Sequence, residues 1–213
     1  MDKWFEAIKN TVIAGKHKEI DALVEKAIQH KVNPDDLINN ALIAAMDVVG
    51  DRFAKSEIFV PEMLVAAITM KKGLDIIKPL LKDQEEQSKG KVVLCTVKGD
   101  LHDIGKNLVG MMLEGAGFEV IDLGVDVTVE NVVDKVTEIQ PQVLGLSALL
   151  TTTMPEMENV INVLQARGMR GAVKVMVGGS PVNADFAEKI GADAHGKDAA
   201  EAVTIARSFI DLR

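Results

Sequence analysis

The sequence predicts an α-plus-α/β chain, with an N-terminal four-helix bundle followed by a five-stranded, parallel, doubly wound domain. Three observations carry that expectation. Up to about Leu81 the apolar residues recur at intervals of three and four, the helical period. Beyond Gly90, short β-branched runs alternate with longer amphipathic stretches, the pattern of βαβ units. Between them, Lys82-Asp83-Gln84-Glu85-Glu86-Gln87-Ser88-Lys89-Gly90 contains no residue that seeks a core. The expected division is a bundle over 1–82, a linker over 83–90 and a sheet domain over 91–213.

The first helix is read from Trp4, Phe5, Ile8 and Val12, and the second from Ile20, Leu23, Val24, Ala27 and Ile28. The third follows Leu37, Ile38, Ala41, Leu42, Ala45, Met46 and Val49. It is announced by Asn33 as cap, Pro34 in the first turn, and Asp35 and Asp36 complementing the helix dipole. The fourth starts at Val60-Pro61-Glu62 and runs through Met63, Leu64, Ala67, Met70, Leu74 and Ile77. In the second half, strands are expected at Val92–Thr96, Glu119–Leu123, Val143–Ser147, Lys174–Val177 and Ala192–His195. Helices are expected to follow them over Asp103–Gly115, Thr128–Ile139, Pro155–Arg167, Val182–Ile190 and Ala199–Asp211. In such a domain, ligands bind beyond the carboxyl ends of the strands, where strand order reverses.

Composition narrows the function. With 213 residues, 47% hydrophobic and 26% charged, the chain can build a core in each domain and is not disordered. Lysine and arginine total 24 against 32 aspartates and glutamates, a formal charge of −8 that argues against a nucleic-acid partner. Six Phe, one Trp and no Tyr leave few rings for stacking on single strands. No apolar run approaches the roughly 20 residues of a membrane span. Lys3, Glu6, Lys9, Lys16 and Lys18 interrupt the N-terminus, so a secretory leader is not expected and a cytoplasmic setting is. The single cysteine, Cys95, excludes an intramolecular disulfide and a cysteine-based zinc cage. It is expected to pack as a small apolar side chain.

Three loops should leave the carboxyl ends of the first, third and fourth strands and converge on one rim. The first reads Lys98-Gly99-Asp100-Leu101-His102-Asp103-Ile104-Gly105, with a carboxylate two residues before a histidine. Such a carboxylate can accept the Nδ1 proton of the imidazole and leave Nε2 basic, as it does behind histidine metal ligands. Gly105 lets a bulky planar ligand approach the backbone. The second loop, Ser147-Ala148-Leu149-Leu150-Thr151-Thr152-Thr153, brings four hydroxyls to a strand end, and the third opens with Gly178-Gly179. Adjacent glycines after a buried strand suggest space kept for a ligand.

Asp100-x-His102-x-x-Gly105, then Ser147-x-Leu149, then Gly178-Gly179, resembles the fingerprint of the cobalamin-binding domain in which a protein histidine displaces the dimethylbenzimidazole. The helical half extends it. Arg52-Phe53 and Glu57-Ile58-Phe59-Val60-Pro61-Glu62 before the last helix resemble the cap of methionine synthase and of the corrinoid proteins of methanol, methylamine and methoxyaromatic methyltransferase systems. The resemblance covers essentially the whole chain and implies a helical cap followed by a flavodoxin-like, Rossmann-like cobalamin-binding domain.

It further implies cobalamin or a related corrinoid bound base-off and His-on, with His102 as the lower cobalt ligand and Asp100 as its hydrogen-bond partner. Thr153 stands where methionine synthase has the serine that completes the relay. Ser147, Gly105, Gly178 and Gly179 would line the slot for the nucleotide tail, with Asp103, Ile104, Leu149 and Thr151 among the cofactor contacts. Phe59 and Met63 would cover the upper face. The implied function is that of a methyl carrier, cycling its cobalt between Co(I) and methyl-Co(III) and not catalytic alone. The implied partners are a substrate-specific methyltransferase, a corrinoid:tetrahydrofolate or coenzyme M methyltransferase, and a reductive activase.

Other readings stay open. A cobalamin-dependent sensor resembling transcriptional photoreceptors should add a basic DNA-binding module, whereas residues 1–88 hold 12 Lys/Arg against 15 Asp/Glu and residues 89–213 hold 12 against 17. The cobalamin subunit of a carbon-skeleton mutase should lack the helical cap. A flavodoxin-like domain that binds something else is the third.

Overall fold

The structure is a computed structural model and describes residues 2–81 and 88–211. Most of the expected linker, residues 83–87, lies outside the described residues. The chain divides into two compact units, Met1–Gln87 with Gly115–Gly117, and Ser88–Glu114 with Phe118–Arg213.

The first unit is helical: α1 (Asp2–Ile13), α2 (Ile20–Gln29), a run comprising α3 (Pro34–Leu37), a π-helical segment (Ile38–Ile43) and α4 (Ala44–Ala54), and α5 (Val60–Ile77) ending in a 3-10 turn (Lys78–Leu81). The third expected helix is therefore one rod from Pro34 to Ala54 with a widened middle. Asn33 caps it, its side-chain oxygen accepting the Asp35 N–H at 2.8 Å. At α5 the cap residue is Phe59, which has no side-chain acceptor. Glu62 compensates by reaching back to accept the Phe59 N–H at 3.1 Å, half of a capping box. Ile8, Ile20, Leu37, Leu42, Met63 and Ile77 are fully buried. Gly73 lets α5 approach α2 closely, since a Cβ there would lie 3.2 Å from Ile20 and from Leu42.

The second unit holds β1 (Lys91–Thr96), α6 (Ile104–Gly115), β2 (Glu119–Asp122), α7 (Val129–Ile139), β3 (Val143–Ser147), α8 (Pro155–Ala166), β4 (Lys174–Gly178), α9 (Ala184–Ile190), β5 (Ala194–Gly196) and α10 (Ala199–Asp211). The sheet is parallel throughout, in the order β2-β1-β3-β4-β5. Both faces are covered, so the strands read as near-continuous apolar runs. Val93, Cys95, Leu144, Leu146, Val175 and Val177 pack against Val132, Val133 and Val136 of α7 and Val160 and Leu164 of α8. On the other face Leu94 meets α6 at Gly110, where a Cβ would stand 3.4 Å away.

Several boundaries shift from their expected places for local reasons. Thr128 is the cap of α7, accepting the Asn131 N–H at 3.3 Å, and Asn183 caps α9 by accepting from Phe186 at 2.8 Å. Val182 therefore belongs to the preceding turn, its N–H donating to the Gly179 carbonyl. Ala192 is not in β5, because its N–H closes the end of α9 on the Ala187 carbonyl, beside Gly191 in the left-handed region.

The order reverses at β1, whose neighbours β2 and β3 leave in opposite directions, so the loops after β1 and β3 flank the crevice expected to hold a ligand. Register brings Thr96, Ser147 and Gly178 into one row at that rim. Gly179 is demanded by the fold itself, and Gly178 is closely packed. A Cβ on Gly179, at φ +128°, would stand 1.9 Å from the Ala148 carbonyl oxygen, and one on Gly178 would stand 3.1 Å from that of Gly196. Gly105 differs: a Cβ there meets nothing within 4 Å.

At the other end of the sheet, Asp193 is a staple. Its carboxylate, only 16% exposed, accepts from the Val175 N–H at 2.7 Å and pairs with Lys174 at 3.0 Å and Arg170 at 2.7 Å. Burial would raise its pKa, yet the Val175, Lys174 and Arg170 donors hold it below the usual carboxylate range. A depressed folded-state pKa contributes stability that is present above the unfolded value and lost as pH falls through the folded one. Asp193→Asn should cost about 2 kcal/mol in urea unfolding at pH 7, and the gap from the unsubstituted chain should close below the ordinary carboxylate value of 3.8. In the same assay Gly179→Ala should cost about 3 kcal/mol through backbone strain and overlap. Gly105→Ala should leave stability unchanged or raise it by up to about 1 kcal/mol, as helix propensity favours.

Candidate functional site

The site is organised by Asp100. Its side chain is wholly buried, yet both oxygens are saturated by five donors. Oδ1 accepts the His102 N–H at 3.1 Å and lies 2.7 Å from His102 Nδ1. Oδ2 accepts the N–H groups of Leu149 at 2.8 Å and Leu150 at 3.2 Å and the Thr153 hydroxyl at 2.8 Å. Burial would raise the carboxyl pKa, but the His102 side chain and N–H, the Leu149 N–H and the Thr153 hydroxyl hold it far below the usual range. Asp100 is thus a buried anion. Its neighbour is placed to donate the Nδ1 proton, which leaves Nε2 as the ring's free basic nitrogen. The His102 side chain is 52% exposed, so that nitrogen can be reached from solvent.

Topology explains the convergence. β1 and β3 are adjacent, and the β1 ladder continues past its end, the Val97 N–H donating to the Ser147 carbonyl at 3.0 Å. The loop after β3 then turns its Leu149 and Leu150 amides and the Thr153 hydroxyl toward Asp100. Thr153 is buried, while Thr151 is exposed and outside this network. Asp103 accepts from Asn107 at 3.0 Å just before α6. Around His102 stand apolar side chains that a folded chain usually hides: Leu101 (69% exposed), Ile104 (82%), Leu149 and Leu150. A half-exposed imidazole on loops that also expose aliphatic groups, with open space at Gly105, suits a large flat ligand with an apolar periphery and a metal at its centre. The residues therefore fit a corrinoid.

The other expected residues fall in different settings. Ser147 is half-buried in the strand-end row between Thr96 and Gly178. Phe59, in the helical unit, is 65% exposed, whereas Met63 is fully buried and presents no surface to a ligand. Gly179 has a reason to be glycine in the fold itself, overlap with the Ala148 carbonyl, and Gly178 packs tightly against that of Gly196, so their smallness does not by itself mark space for a ligand.

Sequence reasoning missed a second ring of residues. Thr96 donates its hydroxyl to the His102 carbonyl at 3.0 Å. Lys106, buried on α6, donates to Asp122 and, at 2.8 Å, to Asn107. Asp122 in turn accepts the Gly124 N–H at 2.8 Å. A lysine amid an amphipathic helix reads as surface, and only the position of β2 beside it reveals the pair. Cys95 takes no part: burial, and secondarily Asp122, push its thiol up to about 12 although Lys106 pulls the other way, so it stays protonated.

Comparison with known proteins finds relatives along both units. Two family models, each described as a B12 binding domain, match residues 90–204 and residues 4–78. Dimethylamine corrinoid protein 1 of Methanosarcina acetivorans is 40% identical over 210 residues, 98% of this chain and 98% of that protein. Trimethylamine corrinoid protein 2 of Methanosarcina mazei is 42% identical over 206 residues, 96% of this chain and 94% of that one. Among solved structures, the methanol:cobalamin methyltransferase complex of Methanosarcina barkeri contains a chain that superposes with a TM-score of 0.90 at 33% identity, covering 99% of this chain and 81% of that one. The saturated Asp100, the half-exposed His102 beside it and these likenesses along both units lead to one statement: the chain belongs to the B12 binding domain family.

Proposed function

We propose that this chain is a corrinoid protein that carries a methyl group between two methyltransferases, with the corrinoid held base-off and His102 as the lower ligand. One methyltransferase loads the methyl group from its substrate, and the other passes it to tetrahydrofolate or coenzyme M. The reading is carried by the contact of Asp100 with His102 on one oxygen and with Thr153 on the other. When bound, the corrinoid supplies a cobalt that accepts and releases the methyl group.

The chain's residues prepare for that chemistry. Asp100 holds the Nδ1 proton of His102, which fixes the tautomer and leaves Nε2 free to ligate. Leu149, Leu150 and Thr153 keep Asp100 charged in a buried place and so keep the imidazole oriented. Leu101, Ile104, Leu149 and Leu150 would offer a bound corrinoid an apolar bed that excludes water. Gly105 leaves room for it, and Ser147, with the backbone of Gly178 and Gly179, lines the way for the nucleotide tail. Phe59, exposed in the helical unit, is the residue that the resemblance to the cap would assign to covering the corrinoid. Activating the methyl donor falls to the loading partner, and a reductive activase would restore the cobalt when it oxidises. The relatives named for dimethylamine and trimethylamine favour a small methylated amine as that donor.

The test is spectroscopic. The chain reconstituted with hydroxocobalamin or methylcobalamin should bind one equivalent with a nitrogen-ligated absorption spectrum, and His102→Ala should convert it to a spectrum without that ligand. Asp100→Asn should weaken retention by about 10- to 100-fold, the usual cost of losing a partner behind a metal ligand. Thr153→Ala should cost less, and Thr153→Ser should restore binding. A His102→Ala protein with an unchanged spectrum would refute the axial role. A chain that retains no corrinoid at all would refute the function.

A further inference from the structure

The Asp100 loop is also gripped from the β2 side. After β2 the chain turns through Gly124 and runs back beside the end of β1: the Thr96 N–H donates to the Gly124 carbonyl at 2.9 Å, the Val127 N–H donates to the Thr96 carbonyl at 3.1 Å, and Val97 and Val127 form a parallel bridge. This connection carries Asp126 at φ +53°, in the left-handed region that aspartate enters more readily than most residues. That conformation lets one residue hold two successive points of the loop. The Asp126 N–H donates to the Asp100 carbonyl at 3.0 Å, and its carboxylate Oδ1 accepts the Gly99 N–H at 2.7 Å. Gly99 is itself at φ +80°. Backbone held in such regions persists where its surroundings over-determine it, typically at functional sites.

The same connection reaches His102 by a second route. Lys106 donates to Asp122, whose other oxygen accepts the Gly124 N–H; the Gly124 carbonyl accepts from Thr96, whose hydroxyl donates to the His102 carbonyl. The backbone before and at His102 is therefore tied to the β2–α7 connection, while the side chain of Asp100 is tied to the loop after β3. The backbone of the connection extends the sheet, but the Asp126 carboxylate takes no part in it: the ladders of β1 with β2 and β3 are made without that group, whose partner is the Gly99 N–H.

We infer that Asp126 is a positioning residue, which through Gly99 and Asp100 sets the depth and direction at which His102 is offered to the cobalt. The inference rests on the corrinoid-carrier reading. It assigns the Asp126 carboxylate to ligand geometry, and the group touches neither corrinoid nor methyl group.

The test uses the full chain with Asp126→Gly, which keeps the left-handed backbone and removes the carboxylate, Asp126→Asn, which keeps an acceptor oxygen, and Asp193→Asn, which weakens the fold at the opposite end of the sheet. Amide exchange of Gly99 in the unloaded protein, and the dissociation constant and nitrogen-ligated fraction with hydroxocobalamin, are read in each. Asp126→Gly should speed Gly99 exchange, raise the dissociation constant about tenfold and lower the nitrogen-ligated fraction. Asp126→Asn should recover most of both, and Asp193→Asn should change neither. Unaltered Gly99 exchange and an unaltered spectrum in Asp126→Gly would overturn the inference, as would an equal loss of ligation in Asp193→Asn. If the unsubstituted chain bound no hydroxocobalamin, the carrier reading and this inference would fall together. Gly99 exchange tells the failures apart, since it reports the clamp in the unloaded protein alone.

Discussion

A single buried anion sets the order of everything around it. An isolated carboxylate taken from water is strongly disfavoured, and the Asp100 side chain is fully buried, so the fold must bring it donors. It does so from two strands' worth of loop: His102 from the β1 connection, and Leu149, Leu150 and Thr153 from the β3 connection. The loops after β1 and β3 are thereby locked to each other. A histidine that would otherwise swing in solvent acquires one tautomer and one direction.

That lock depends on the sheet order. Only because β1 and β3 are neighbours in register, with Thr96 opposite Ser147 and Ser147 opposite Gly178, do residues about fifty positions apart in the chain meet at hydrogen-bonding distance. The glycines at the end of β4 belong to the same constraint. They let that loop pass against the Ala148 carbonyl, and so they shape the rim before any ligand is considered. Gly105 is the contrasting case, a glycine with empty space beside it in a place where the fold would accept a side chain.

The polar interior and the apolar exterior of the site are complementary. Inside, charge and hydrogen bonds fix direction. Outside, Leu101, Ile104, Leu149 and Leu150 leave aliphatic surface uncovered in the loops that carry His102 and the donors to Asp100. Such a surface is costly in water and is relieved by a flat, largely apolar ligand. A residue set of this kind binds and orients; the thiol of Cys95, buried and held protonated, stands apart from it.

The periodic elements and the Asp100–His102 pair are legible in the residues alone. Alternating apolar runs announce β1, β3 and β4 to within a residue or so, because strands buried on both faces leave little choice of residue, and Asp100-x-His102 is legible because its partners lie two positions apart. Helix ends were less legible where a cap rather than a periodic residue decides them, as at Thr128 and Asn183, and β5 starts later than its pattern because Ala192 is taken by the end of α9. The relations that cross the sheet come from the packed fold and not from local pattern. The amides of Leu149 and Leu150 carry no sequence signal at all, the partnership of buried Lys106 with Asp122 depends on α6 lying over β2, and the grip of Asp126 on Gly99 requires a left-handed turn beside β1. Backbone donors and through-space pairs are set by strand order and register. Hydrophobic periodicity constrains these only through the finished fold.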